Sequence, residues 1–428
     1  MDINRKTAYC ALIKIEKEDA YSNIALNQCI NELKPDAPAF VRELVYGVLK
    51  NRVYLDYILN QIVTKGIRSV KKETKILLQM GLYQLIFMNS VPQYAAVNET
   101  VKLAMKFVVG REAFVNGVLR GYIRKKDTLV FPDIKKDPVE YLSVKYSYAK
   151  WIVKQWIDQY GMEKAEELLK AGNETPELSL RTNVNLITRE KLAERLTARG
   201  IEVKAGKLSS RCIFAKGNDV LSTPEFKEGF FSVQDEASMI ATEILEPSEN
   251  DTIIDICAAP GGKTLATAEL MAGTGKVISC DVYEHKLKLI QNESERLGLT
   301  NIEVVENDGT VLREEWKESA DKVIVDGPCS GLGVTRRKPE IKYRELPDCG
   351  RELARKQLEI LEVSAEYVKK DGILLYSTCT VNKIENIDVV SRFLKHHSEF
   401  ELVRSRQLLQ GTDETDGFFI CKMRKRNN

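Results

Sequence analysis

From Thr7 to about Lys126 the apolar residues recur at three- and four-residue spacing, as in Leu44, Val45, Val48 and Leu49, then Leu55, Ile58 and Ile62. That period lays one apolar stripe along a helix, so six or seven amphipathic helices packed as a bundle are predicted. Asp36-Ala-Pro and Asn98-Glu-Thr read as helix starts or turns between them. The run ILLQMGLYQLIFM, residues 76–88, is too short to span a bilayer and carries two glutamines, so it is expected to be a buried helix. Prolines and charges over 128–138 (TLVFPDIKKDP) mark a linker. Two more helices are expected over 148–160 and 162–171.

The period then changes. Short apolar runs over 178–183, 201–204, 211–215 and 229–233 read as strands, with a helix over 188–199, which makes a small α+β module of the RNA-recognition-motif type. From Ile253 onward strands (252–256, 276–280, 302–305, 322–326, 372–377) alternate with helices (264–272, 284–297, 351–369). Such alternation predicts an α/β fold, a Rossmann-like doubly wound parallel sheet that binds ligands at the carboxyl ends of its strands. The expected division is an all-α domain over 1–130, a helical linker with the α+β module over 140–235, and the doubly wound domain over 236–428.

The bulk numbers narrow the class. A chain of 428 residues with 43% hydrophobic and 29% charged residues is long enough for two or three soluble domains. Nine cysteines without regular spacing suit a reducing cytosol, and the start MDINRKTAYC lacks the apolar core of a signal peptide, so a cytoplasmic protein is expected. No CxxC pair exists, and His285, His396 and His397 show no ligand spacing, so no metal and no membrane are expected. The net charge of +2 conceals an asymmetry: residues 1–130 hold 20 Lys+Arg against 12 Asp+Glu. A basic amino-terminal part is compatible with nucleic acid, and equally with a well-solvated helical surface.

The candidate chemistry starts at DICAAPGGKT, residues 255–264. Its end resembles a phosphate-binding loop, but Cys257 stands where a Walker loop needs glycine, and Pro260 removes an amide that would cradle an anion. What remains is a strand, a small-residue turn (Cys257, Ala258, Ala259, Pro260, Gly261, Gly262, Lys263) and a helix start. Acids follow at successive strand ends: Asp281, suited to ribose hydroxyls, Asp308, placed to meet an adenine edge, and Asp326. Singly each is as well a turn or cap residue; together they favour adenosine. The GxGxxG fingerprint is absent, which argues against a dinucleotide and for a cofactor with adenosine but no phosphates, S-adenosylmethionine.

Two cysteines sit at matching strand ends, Cys329 after the fourth strand and Cys379 after the fifth. Neighbouring strands lie about 5 Å apart, so if these two are adjacent, both thiols open into one crevice. A lone cysteine is usually an inert small hydrophobe. Cytosine C5, however, is too weak a nucleophile to take a methyl group unless a thiolate first adds to C6. A free thiol of pKa about 8.5 needs electropositive neighbours or a helix start to ionise. The residues alone leave open which thiol attacks.

Cys257-Ala-Ala-Pro-Gly-Gly-Lys, Asp326-Gly-Pro-Cys and Ser377-Thr-Cys-Thr strongly resemble the RNA cytosine-C5 methyltransferases of the Sun/Fmu (RsmB) type. Val97-Asn-Glu-Thr-Val and Phe114-Val-Asn-Gly-Val-Leu-Arg resemble the NusB-type RNA-binding domain, and Val233-Gln-Asp-Glu-Ala-Ser resembles that family's entry into its catalytic domain. The resemblance implies an enzyme in which Cys379 attacks C6, Cys329 assists proton loss and product release, and Asp326 hydrogen-bonds the cytosine edge. It places the cofactor on 257–263, Asp281, Asp308 and Asp326, and makes small-subunit (16S) ribosomal RNA the partner of a monomeric enzyme. Gly327 departs from the usual Asp-Ala-Pro-Cys and loosens that loop without removing a functional group. Downstream, TRRKPEIKYR, residues 335–344, sets five cations around an aromatic. Arg336, Arg337 and Lys338 are candidates for target-strand phosphates and Tyr343 for stacking; a solvated loop is the competing reading. Three alternatives stand beside the enzyme: a non-catalytic RNA-binding or ribosome assembly factor that keeps the fold, methylation of another RNA (tRNA or 23S), and a nucleotide-dependent oxidoreductase. The intact Cys329, Cys379 and Asp326 argue against the first, and the missing glycine fingerprint against the last.

Overall fold

The computed structural model describes every residue except 1, 19, 218, 347, 349 and 428. The chain forms two compact units, one of Met1–Glu174 with Thr335–Glu345, the other of Thr175–Val334 with Leu346–Asn428.

The first unit is helical. It runs through α1 (Ile3–Glu18), α2 (Ser22–Leu33), α3 (Pro38–Lys50), α4 (Arg52–Ile62), α5 (Lys72–Phe87), α6 (Gln93–Phe107), α7 (Glu112–Lys125), α8 (Pro138–Tyr146), α9 (Lys150–Tyr160) and α10 (Met162–Ala171). Pro38 opens α3 just past Asp36, where its missing N–H costs nothing. The apolar run is buried in α5 from Ile76 to Gln84, with Phe87 40% exposed at the helix end, and its glutamines are satisfied: Gln79 donates to Asp56 at 2.7 Å, and Gln84 accepts from Arg5 at 2.7 Å. Asn98-Glu-Thr, expected at a helix start, lies inside α6. Thr100 is buried there with its hydroxyl bonded back to Ala96 O (2.7 Å), so a cap-type residue is consumed within the helix. The helices α8 to α10 cluster with this unit.

The second unit begins with the α+β module, β1 (Leu178–Thr182), α11 (Arg189–Ala198), β2 (Glu202–Ala205), β3 (Cys212–Lys216), α12 (Pro224–Lys227) and β4 (Phe231–Val233), its antiparallel sheet ordered β2-β3-β1-β4. After α13 (Glu236–Leu245) come β5 (Thr252–Asp255), α14 (Gly262–Leu270), β6 (Lys276–Asp281), α15 (Glu284–Leu297), β7 (Ile302–Glu306), β8 (Ala320–Asp326), α16 (Arg351–Tyr367), β9 (Val368–Thr378), α17 (Ile387–His396), β10 (Phe400–Leu408) and β11 (Phe418–Lys425). They form a seven-stranded sheet in the order β10-β11-β9-β8-β5-β6-β7. The five strands from β9 to β7 are parallel; β11 and β10 add an antiparallel edge that the sequence reading did not contain. Ile253, Ile254, Val323, Ile324, Leu374 and Leu375 are fully buried, because helices cover both faces of the central strands. No helix among the described residues is long and apolar enough to cross a membrane.

Candidate active site

The site follows from strand register. β8 and β9 are parallel neighbours with Asp326 opposite Ser377, and Gly327 N donates to Ser377 O at 2.9 Å. Cys329 lies three residues past one partner and Cys379 two past the other, which brings their sulfurs to 3.3 Å. Both are half-buried. The Cys329 loop returns to the second thiol, with Gly333 N donating to Cys379 O at 3.0 Å. Glycine is required there, since a Cβ on Gly333 would lie 1.9 Å from Gly417 O. A Cβ on Gly327 would press on the Gln357 and Tyr376 side chains, at 3.2 and 3.4 Å, so glycine in place of alanine leaves no space unfilled.

Asp326 faces the same crevice. Its Oδ1 accepts from Ser377 Oγ (2.8 Å) and its Oδ2 from Lys263 Nζ (2.6 Å), while its side chain stays 32% exposed. Lys263 also lies 4.8 Å over the Phe418 ring. Its ammonium is therefore committed to a carboxylate and a ring rather than held out for a phosphate, which answers the P-loop likeness on structural grounds.

The loop between β5 and α14 turns through a cis Ala259–Pro260 bond and Gly261 at φ +104°, with Gly262 opening the helix. A Cβ on Gly261 would press on Ile290 at 3.0 Å. Asp281 ends β6. Its Oδ1 accepts from Tyr283 N (3.1 Å), and beside it Val282 and Tyr283 remain 44% and 52% exposed, an apolar shelf next to the carboxylate. Asp308 is exposed and closes a turn, accepting from Thr310 N (3.0 Å) and Thr310 Oγ1 (2.8 Å); those bonds hold its carboxyl below the usual range.

Burial and neighbouring charges raise thiols of this unit. The bond to Cys379, then burial and the charges of Cys379, Glu385 and Asp326, push Cys329 well above the ordinary thiol value. Burial likewise pushes up Cys257. Asp255, at the end of β5, is fully buried and rises to about 7 through burial, opposed by a bond from Thr264 Oγ1 (2.7 Å).

The cationic segment after Cys329 is not an open loop. Thr335–Glu345 packs in the helical unit. Lys342 is fully buried, donating to Lys50 O (2.8 Å), Tyr146 O (3.1 Å) and Asn173 Oδ1 (2.6 Å). Tyr343, read as a stacking candidate, is instead engaged by the Arg52 guanidinium over its ring (5.4 Å) and by Arg52 N at its hydroxyl (3.4 Å). Arg336, Arg337 and Lys338 are half-buried, with the Lys338 ammonium 4.6 Å over the Tyr21 ring. Two groups at the thiol site escaped sequence reading: Ser377, which no spacing singles out, and Glu385, one acid among many.

Comparison with known proteins gives a consistent picture. Residues 242–424 match the family described as 16S rRNA methyltransferase RsmB/F, residues 2–124 the NusB family, and residues 148–219 the RsmF/B-like ferredoxin-like domain. The chain is 40% identical over 443 residues to the "Probable ribosomal RNA small subunit methyltransferase B" of Bacillus subtilis (strain 168), covering 99% of this chain and 98% of that protein. Among solved structures, PH0851 superposes with a TM-score of 0.85 at 25% identity over 98% of both chains. A methyltransferase homolog protein from Pyrococcus horikoshii gives 0.59 at 28% identity, over 68% of this chain and 99% of that one.

Proposed function

Because the chain belongs to the ribosomal RNA small subunit methyltransferase B family, we propose that it transfers a methyl group from S-adenosylmethionine to C5 of one cytosine in 16S ribosomal RNA through a covalent adduct. The observation that carries this reading is the pair of sulfurs 3.3 Å apart at neighbouring strand ends, with Asp326 in the same crevice.

The residues fit the cofactor. The Cys257–Lys263 turn offers a close backbone approach, Asp281 has a carboxylate oxygen for ribose hydroxyls, and the Val282–Tyr283 shelf and Asp308 suit an adenine. Bound there, the cofactor supplies an electrophilic methyl group on a sulfonium. Cys379, as the thiolate, forms a bond to C6 and drives the electron pair of the double bond to C5, which becomes the nucleophile. Asp326 hydrogen-bonds the N3 edge and shares a proton with it as charge builds on the ring. Once C5 carries the methyl group, its proton passes to the Cys329 thiolate. The C5–H pair then restores the double bond, and the C6–S bond breaks to free Cys379. The raised value of Cys329 suits this division, since a sulfur that holds a proton tightly is, as the thiolate, a strong acceptor for the one leaving C5. Flipping the cytosine out of structured RNA costs a few kcal/mol, least within a loop.

The test is bisulfite sequencing of 16S rRNA from a deletion strain. One cytosine is expected to lose its modification, and the wild-type gene restores it while Cys379→Ala does not. With purified protein, Cys329→Ala is expected to accumulate a denaturation-resistant protein–RNA adduct. A deletion strain with unchanged cytosine methylation refutes the substrate, and a Cys379→Ala enzyme that turns over normally refutes the nucleophile.

A further inference from the structure

The mechanism above leaves one buried acid unused. Glu385, between β9 and α17, is 0% exposed. Its Oε1 accepts from Ser330 Oγ (2.5 Å) and Asn382 Nδ2 (2.9 Å), and its Oε2 from Ser330 N (2.7 Å) and Gln357 Nε2 (3.2 Å). Ser330 directly follows Cys329, and its hydroxyl also lies 2.9 Å from Oγ1 of Thr380, the residue after Cys379. Gln357 on α16 donates as well to Pro328 O (2.8 Å), just before Cys329. The Tyr376 hydroxyl lies 3.0 Å from Gln357 Oε1 and 2.6 Å from Glu385 O, which ties the same knot to β9. A carboxylate with four donors has its acceptor sites filled, so its place in the fold is fixed from four directions. Burial pushes this acid up and the Ser330 bonds pull it back. A buried charge of this kind is costly wherever a neutral group would serve. Here its donors flank both thiols.

We propose that Glu385 is a positioning residue whose carboxylate fastens the Cys329 loop to the Cys379 loop, so that the two sulfurs act on one base in turn. This rests on the thiol roles assigned above. The charge has a second effect: it adds to the influences that raise Cys329, which makes its thiolate a stronger base for the C5 proton.

The test compares the full-length protein with Glu385→Gln. Glutamine keeps the shape but turns an NH₂ toward two donors, which breaks the Ser330 end of the knot. S-adenosylmethionine affinity is expected to stay near wild type, the urea midpoint to fall while the protein stays folded under assay conditions, and KM for RNA to change little. Single-turnover methyl transfer should fall about 100-fold, the usual loss for a displacement of about 1 Å at a reacting group. Iodoacetamide labelling of Cys329 in the RNA-free protein should rise above wild type, because the lost charge no longer helps to raise that thiol. The labelling arm needs neither RNA nor methyl transfer, so it reads Glu385 even if the substrate assignment fails; a wild-type protein inactive on 16S rRNA rejects that assignment instead. Wild-type transfer with unchanged labelling overturns the proposal, and so does a rate that falls only in step with lost cofactor binding or lost folded protein. Should Glu385→Gln not fold, Ser330→Ala removes the hydroxyl shared with Glu385 and Thr380. It is expected to slow transfer about tenfold, the worth of one hydrogen bond of about 1.4 kcal/mol, with cofactor affinity intact, and an unchanged rate likewise overturns the idea.

Discussion

Asp255 shows what one buried side chain imposes on the rest of the molecule. It is fully buried, its Oδ2 takes a bond from Thr264, and its Oδ1 has no partner among the described residues. With a folded pKa of about 7 against about 3.9 in the unfolded chain, the native state holds the proton more tightly. The contribution to stability is therefore complete below about pH 4 and is lost as pH rises through about 7. An Asp255→Asn variant carries an amide that cannot ionise, so it lacks this slope. Urea unfolding at pH 5 and pH 8 is expected to show Asp255→Asn gaining about 3 kcal/mol on wild type across that interval, at about 1.4 kcal/mol for each pH step up to the folded pKa. A gap that stays constant or narrows means that Asp255 is not the group that titrates.

At the scale of elements, the strands were legible where their covering helices make them apolar throughout, and their carboxyl ends located Cys257, Asp281, Asp326, Cys329 and Cys379 directly. The edge strands β10 and β11 were not, because β10 reads FELVRSRQL, with charges that suit an exposed edge as well as a loop. Glu385 was illegible for a different reason: besides its neighbour Asn382, its partners come from three separate segments, and no local period encodes that meeting. The same is true of Arg181, at the end of β1. It is 1% exposed, donates to both oxygens of Glu269 on α14 (2.9 and 2.8 Å), and reaches Gln234 (2.6 Å) and Gly262 O (2.9 Å) where α14 begins. One guanidinium thus pins the α+β module to the helix that follows the Cys257–Lys263 turn. Removing it leaves Glu269 buried with Arg211, at 3.5 Å, as its ion-pair partner among the described residues, and breaking such a pair costs about 3–5 kcal/mol. Arg181→Ala is expected to lose that much in urea unfolding and to weaken cofactor binding, whereas Arg181→Ala with Glu269→Ala should lose less than the single change. A single variant within about 1 kcal/mol of wild type removes the pin from the account.

At the scale of the molecule, the helical unit is built from two stretches of chain far apart in sequence, Met1–Glu174 and Thr335–Glu345. No sequence pattern hints at this, since the second stretch sits inside an α/β alternation and carries the charges of a solvated loop. Burial explains the arrangement. Lys342 threads its ammonium between Lys50 O, Tyr146 O and Asn173 Oδ1 and lies 4.3 Å over the Tyr148 ring, so three acceptors on the first stretch are satisfied from the second. Thr335 adds a bond to the Tyr148 hydroxyl (2.9 Å), Glu340 accepts from Ser22 N (3.1 Å), and Arg344 O accepts from Trp151 Nε1 (3.0 Å). A fragment of residues 2–174 therefore carries unfilled acceptors that the remaining eleven-residue stretch is shaped to meet. A synthetic peptide of residues 335–345 is expected to bind that fragment and raise its melting temperature as its concentration rises, approaching about 2.7 kcal/mol of stabilisation at a hundredfold excess over Kd. The same peptide with Lys342→Met should give a much smaller rise, because it fills the space but leaves the three oxygens without a donor. Equal shifts from the two peptides assign the docking to apolar contact, and no shift from either means that the fragment is complete without the second stretch.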